Sequence, residues 1–210
     1  MDLIEQAQKL YNEKKWKEAI DLLGTFIPDT DKNEARAKRI EGWSFYYLGI
    51  KGPEAMKIAN LVESKRLFEI VLKKGQREEK ISAFNGLPLA LWILGEQNQA
   101  WQVSKQAVEE FPDIPSVWNT KAILCRWGKK FEEALEVNEK VYETALEKGD
   151  FRTAGHGKQN QGDALIQLRK TGEAEKEYRE ATQLYKDYQQ ISGESAAFHI
   201  ESVEKKLSKL

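Results

Sequence analysis

KKWKEAIDLL at residues 14–23 returns as KKFEEALEVN at residues 129–138, with an aromatic third letter, a central alanine and an aliphatic residue behind it. A phrase that recurs 115 positions later in one chain marks a structural unit used more than once. Its period is helical. Across FEEALEVNEKVY (131–142), Phe131, Ala134, Leu135, Val137, Val141 and Tyr142 fall mainly on one side of a helix, with glutamates and lysine opposite. Alternation of the β type is hard to find over any length. Breakers at Pro28, 49–53, Gly75, Gly95, 112–115, Gly128, Gly149 and Gly193 divide the chain into about eleven antiparallel helices.

The quoted phrases each open the second helix of a pair, and the surrounding positions keep register. Twelve places before the central alanine stands a small or special residue: Ala7 before Ala19, Pro88 before Ala100, Ala122 before Ala134, Gly162 before Ala174. Seven places after it come Phe26, Ala107, Val141 and Ala181. Two helices packed back to back need short side chains where their backbones cross, and that accounts for the spacing. Pro88 is the awkward member. A proline inside a helix costs about 3 kcal/mol or more, so the helix is expected either to bend there or to begin there.

The spacing, with units over 81–114 and 115–148, resembles the tetratricopeptide repeat (TPR), a helix-turn-helix unit of about 34 residues. Its pattern is met best by Phe84, Leu87, Pro88, Leu91, Ala100, Ser104 and Pro112, then by Trp118, Lys121, Ala122, Cys125, Ala134 and Asn138. Gly162, Leu165, Ala174, Tyr178 and Ala181 make a further good unit over 155–188, and Ala7, Ala19 and Phe26 a weaker one over 1–34. Residues 35–80 read as a degenerate, stretched repeat, and Ala197, Ile200, Val203 and Leu207 as the apolar stripe of a capping helix over 194–210. The resemblance implies an all-α, right-handed superhelical solenoid of antiparallel helix pairs, one domain over 1–210, closed by a C-terminal cap.

Composition narrows the function. Thirty-three basic residues against thirty-four acidic ones give a net charge of −1, no field to gather nucleic acid or an anionic membrane. The longest apolar run, LPLALWIL at 87–94, is far short of the roughly 18 residues of a membrane span. The opening MDLIEQAQKLYNEKKW lacks the basic segment and apolar run of a secretory signal, and Cys125 stands alone, so a cytoplasmic location is expected. The usual chemistry is also scarce. His156 and His199 read as separate surface or core residues, Cys125 as an apolar filler, and GHGKQNQGD (155–163) lacks the strand that presents a phosphate loop. No enzyme, metal or cofactor is expected.

The resemblance further implies a concave groove lined by the first helices of the pairs. The family's groove positions fall on Arg36, Arg39, Trp43, Tyr46 and Tyr47, on Asn85, Leu89 and Trp92, and on Asn119, Ile123, Arg126 and Trp127. His156, Gln159 and Asp163 occupy them in the last unit. Trp16, Trp101 and Trp118 are expected in the packing instead. Exposed aromatics together mark a binding surface, amides donate and accept at once, and arginine pairs two N–H groups with a carboxylate. Ile4 and Gln8 replace the lysine and asparagine of the family's chaperone-tail clamp. The expected partner is therefore another protein, held as a peptide or helix. The alternatives are a homo-oligomer or assembly module, and a regulatory receptor for a short signalling peptide.

Overall fold

The two lysines that open the quoted phrases, Lys14 and Lys129, both adopt left-handed backbone, at φ 62° and 56°. Arg169 (φ 60°) and Gly95 (φ 85°) do the same in the corresponding turns. In each turn the next amide donates to a carbonyl five residues back: Lys15 to Leu10, Glu96 to Leu91, Lys130 to Cys125 and Lys170 to Leu165, all at 2.9 Å. The left-handed residue itself donates three back, to Tyr11, Trp92, Arg126 and Ile166. This is a Schellman stop, which satisfies the last carbonyls of one helix and reverses the chain. The next helix starts two residues after the left-handed one, at Trp16, Gln97, Phe131 and Thr171. The phrase recurs because the same turn is built repeatedly.

The computed structural model describes residues 2–210, and among them there are eleven α-helices and no strand. In chain order they are α1 (Leu3–Asn12), α2 (Trp16–Leu23), α3 (Asp31–Lys51), α4 (Lys57–Lys74), α5 (Arg77–Ile93), α6 (Gln97–Glu110), α7 (Pro115–Trp127), α8 (Phe131–Glu147), α9 (Phe151–Gln167), α10 (Thr171–Ser192) and α11 (Ala197–Leu207). They gather into two compact units, residues 1–107 and 108–210.

In the first unit, Ala7 on α1 and Ala19 on α2 are fully buried with Ile4, Leu23, Ala37 and Ile40, the core that the small-residue register points to. The long pair α3/α4 is antiparallel: Glu34 bonds Lys74 at 2.6 Å at one end, Ser64 Oγ donates to the Gly42 carbonyl at 2.8 Å in the middle, and Leu61 fills the space at Gly49 near the other. Phe68 of α4 is enclosed between glycines of its two neighbours, Gly42 on α3 and Gly86 on α5. Helix α5 starts at Arg77, four residues ahead of the 81–114 unit, and continues through Pro88 without a break. The helix therefore does not begin at the proline, which sits inside it at the loss of the helical bond to the Phe84 carbonyl.

In the second unit, Ala122, Ala134, Val141, Ala174 and Ala181 are buried, again in the expected register. The small positions of α9 do more than let backbones cross. Gly155 and Gly162, two turns apart, receive the rings of Tyr185 and Tyr178, two turns apart on α10. Helix α11 packs against α10, and Ala196 and Val203 are buried in a core with Leu165, Tyr178 and Tyr185. Ile200, Val203 and Leu207 of the expected capping stripe pack here, whereas Ala197 is exposed and the preceding Ala196 takes the buried place.

Candidate functional site

In the first unit, Arg36 and Arg39 on α3 face α1 across a depression of about 300 Å³, lined also by Ile4, Glu5, Gln8, Lys9 and Asn12. Residues 36 and 39 lie one turn apart on a helix, so both guanidinium groups reach the same side. Arg39 Nη2 donates to Gln8 Oε1 at 2.8 Å, and Gln8 Nε2 donates to Asn12 Oδ1 at 2.9 Å. Burial pulls the Arg39 guanidinium below its ordinary pKa, opposed by Glu79, yet arginine keeps its charge at any working pH. Ile4 and Gln8, which replace the clamp residues of the resembled family, thus line the same hollow as two arginines.

The neighbouring aromatics pack on one another rather than standing clear. Trp43 meets Phe68 edge-on at 5.3 Å and Tyr46 at 5.5 Å, and its Nε1 donates to Ser82 Oγ at 2.9 Å. Tyr47 stacks on Trp16 at 5.2 Å, with the Lys51 ammonium 5.7 Å from the centre of each ring. Trp16 therefore joins the aromatic group instead of filling only the interior. Tyr46 is 7 % exposed and Leu89 on α5 is 9 %, which corrects the expectation that either offers a groove surface. Tyr46 is boxed by the rings of Trp43 and Tyr47, and burial pushes its phenol up to about 12. Trp43, Tyr47, Asn85 and Trp92 are half-buried, Trp92 lying edge-on to Trp101 at 5.9 Å.

In the second unit, Asn119, Ile123 and Trp127 on α7 are half-buried and Arg126 is exposed. Arg126 lines a depression of about 380 Å³ with Lys129 and Phe131 on one side, Asn160, Asp163 and Gln167 of α9 on the other, and Ala164 and Ile166 as apolar surface. Cation, amide and apolar groups thus converge on one hollow, which suits an amphipathic chain with an acidic group. Of the last unit's groove positions, Gln159 accepts from Tyr185 Oη at 2.8 Å, and Asp163 accepts from Tyr178 Oη at 2.7 Å and from Lys206 Nζ at 2.6 Å. These two are engaged by α10 and α11.

Two groupings escaped sequence reading. Lys158, which looks like one more solvated lysine, is 7 % exposed and pairs with Glu139, Glu177 and Glu180 at 3.2–3.5 Å, over the Tyr142 ring at 4.2 Å. Burial alone would lower its pKa, but the three carboxylates outweigh that and leave it raised. It ties α8, α9 and α10 together. His156 and His199, expected as separate residues, lie with ring centres 4.9 Å apart. Forty-three residues separate them in sequence, and nothing in either neighbourhood announces the other.

No protein-family model and no curated protein matches the chain. Solved structures do. A MamA RS-1 double mutant superposes with a TM-score of 0.62 at 14% identity, over 90% of this chain and 97% of that one. MamA AMB-1 gives 0.58 at 13% identity, over 89% and 99%. The 41-end form of MamA from Desulfovibrio magneticus RS-1 gives 0.55 at 15% identity, over 89% and 97%. The all-helical fold of TPR-like pairs is therefore shared with known structures.

Proposed function

We propose that the protein is a non-catalytic interaction scaffold that holds a peptide or helical segment of another protein against the first helices of its pairs. The observation that carries this reading is that each unit, taken by itself, has a hollow lined by the arginines expected at groove positions: Arg36 and Arg39 in one, Arg126 in the other. Both hollows combine guanidinium with amide groups, the chemistry that recognises carboxylates and extended backbone, with one carboxylate, Glu5 or Asp163, at the wall of each. Asn85 and Trp92 on α5, Asn119, Ile123 and Trp127 on α7, and Trp43 and Tyr47 on α3 are half-buried and keep part of their surface open to such a partner. Affinity capture from native extract with the parent chain and with Arg126→Glu tests the reading. Partners held by the parent and lost by the variant support it; equal recovery removes the second-unit hollow from the site.

A second reading, assembly with further copies, is favoured by one feature. Ile50, Met56, Ile58 and Val62 at the α3–α4 tip are 39–58 % exposed, an apolar group on open surface. Light scattering over a concentration series separates the two, since a constant monomer mass excludes self-assembly.

A further inference from the structure

Helix α11 is seated on α9 and α10 by two tiers of the same construction. In the lower tier, Gly162 of α9 receives Tyr178 of α10, Asp163 follows the glycine, and Lys206 of α11 reaches in. Lys206 Nζ bonds both Asp163 oxygens, at 2.6 and 2.7 Å, and lies 5.6 Å over the Tyr178 ring. Seven residues earlier on α9 and α11, and seven later on α10, the pattern repeats. Gly155 receives Tyr185, His156 follows the glycine, and His199 of α11 stacks on the Tyr185 ring at 5.0 Å and 22°. The positions that hold opposite charges in the lower tier hold two imidazoles in the upper one.

That substitution changes how the tiers respond to pH. We propose that α11 is a latch which acidification opens, because His156 and His199 become a like-charged pair at the point where α11 meets α9 and α10. The groups around them favour neutrality. His156 faces Arg152 and Asp150 at the start of its own helix, Tyr185 of α10 and His199 of α11; His199 faces Arg152 and His156 of α9 and Tyr185. Asp150 is the sole acidic group among these, and its Oδ1 already accepts from the Thr153 amide at 3.0 Å. Burial, then His199 and Arg152, lowers His156 to about 4; burial and Arg152 also lower His199.

A histidine held below its ordinary value of 6.5 lends full support to docking above that pH and loses it progressively as the pH falls toward the docked value. Each histidine weakens docking by up to about tenfold per pH unit across that window. The backbone allows release: Gly193, in left-handed conformation at φ 72°, and the exposed residues 194–195 join α10 to α11. Opening uncovers Tyr178, Tyr185 and Leu165, a seat cut for an amphipathic helix.

Hydrogen exchange of the full chain at pH 7 and pH 5, corrected for intrinsic rates, tests the latch. Protection of residues 197–207 is expected to fall at least about tenfold relative to α1 in the parent, and to stay level in His156→Gln/His199→Phe, whose phenylalanine keeps the stack on Tyr185. Unchanged parental protection, or the same loss in the variant, overturns the proposal. Should the variant leave α11 undocked at pH 7, histidine titration by NMR in the parent decides. Titration below 6.5 in step with loss of α11 protection supports the latch, and titration at or above that value contradicts it.

Discussion

Tyr178 lies so close over Gly162 that a Cβ added to the glycine would stand 2.5 Å from the tyrosine ring. The ring cannot swing aside freely, because it is 2 % exposed and its hydroxyl is bonded to Asp163. Gly162→Ala is therefore expected to destabilise the second unit by about 2 kcal/mol through overpacking, despite alanine's higher helix propensity. Gly172→Ala, where nothing lies within 4 Å, is the control and should be neutral or stabilising by up to about 1 kcal/mol. Urea unfolding of both variants reads the difference.

The left-handed turn residues give the opposite sign. Lys14, Lys129 and Arg169 carry side chains in a conformation that costs non-glycine residues about 1 kcal/mol or more. Lys129→Gly should raise the unfolding midpoint, by about 1 kcal/mol in stability, although it removes a side chain and adds a glycine. Gly95→Ala, at φ 85°, should lower it by a similar amount.

Lys158 tests the buried ionic knot. Lys158→Ala leaves Glu139, Glu177 and Glu180 facing one another without their cation. A loss of about 2 kcal/mol is expected, less than for a fully buried pair because Glu139 is partly open to solvent. Lys158→Met removes the ammonium that stands over the Tyr142 ring but keeps an apolar stem in its place and should lose less; chemical denaturation of the two variants measures the packing share.

Cys125 should be silent to thiol reagents in the folded protein. It is 0 % exposed, and burial pushes its thiol up to about 12, so neither access nor thiolate is available near neutral pH. Labelling with an aromatic disulfide should proceed at the rate of unfolding and become rapid in denaturant.

Much of the helix count and its small-residue register could be read from the sequence because both depend on local signals: breakers end helices, and buried alanines such as Ala19, Ala100, Ala134 and Ala174 repeat at fixed offsets. The left-handed lysines were not legible, since lysine carries no mark of the conformation that glycine would have shown. The course of α5 through Pro88 depends on burial by neighbours, which outweighs a local penalty. The candidate site was legible by position but not by exposure. Arg36, Arg39 and Arg126 line hollows, whereas Tyr46 and Leu89 are covered by packing that a register alone does not report. The histidine pair and the Lys158 knot join residues from two or three helices, and charge or aromatic patterning along one helix contains no trace of them.

The scaffold reading stands on a partner lying against α3 and α7, and a hydrogen-exchange footprint with a captured partner measures that directly. Slowed exchange over residues 36–47 or 119–131, reduced when Arg39 or Arg126 is replaced by glutamate, is the predicted result. A bound partner that protects neither segment and shields only α8, α10 or the α3–α4 tip contradicts the account.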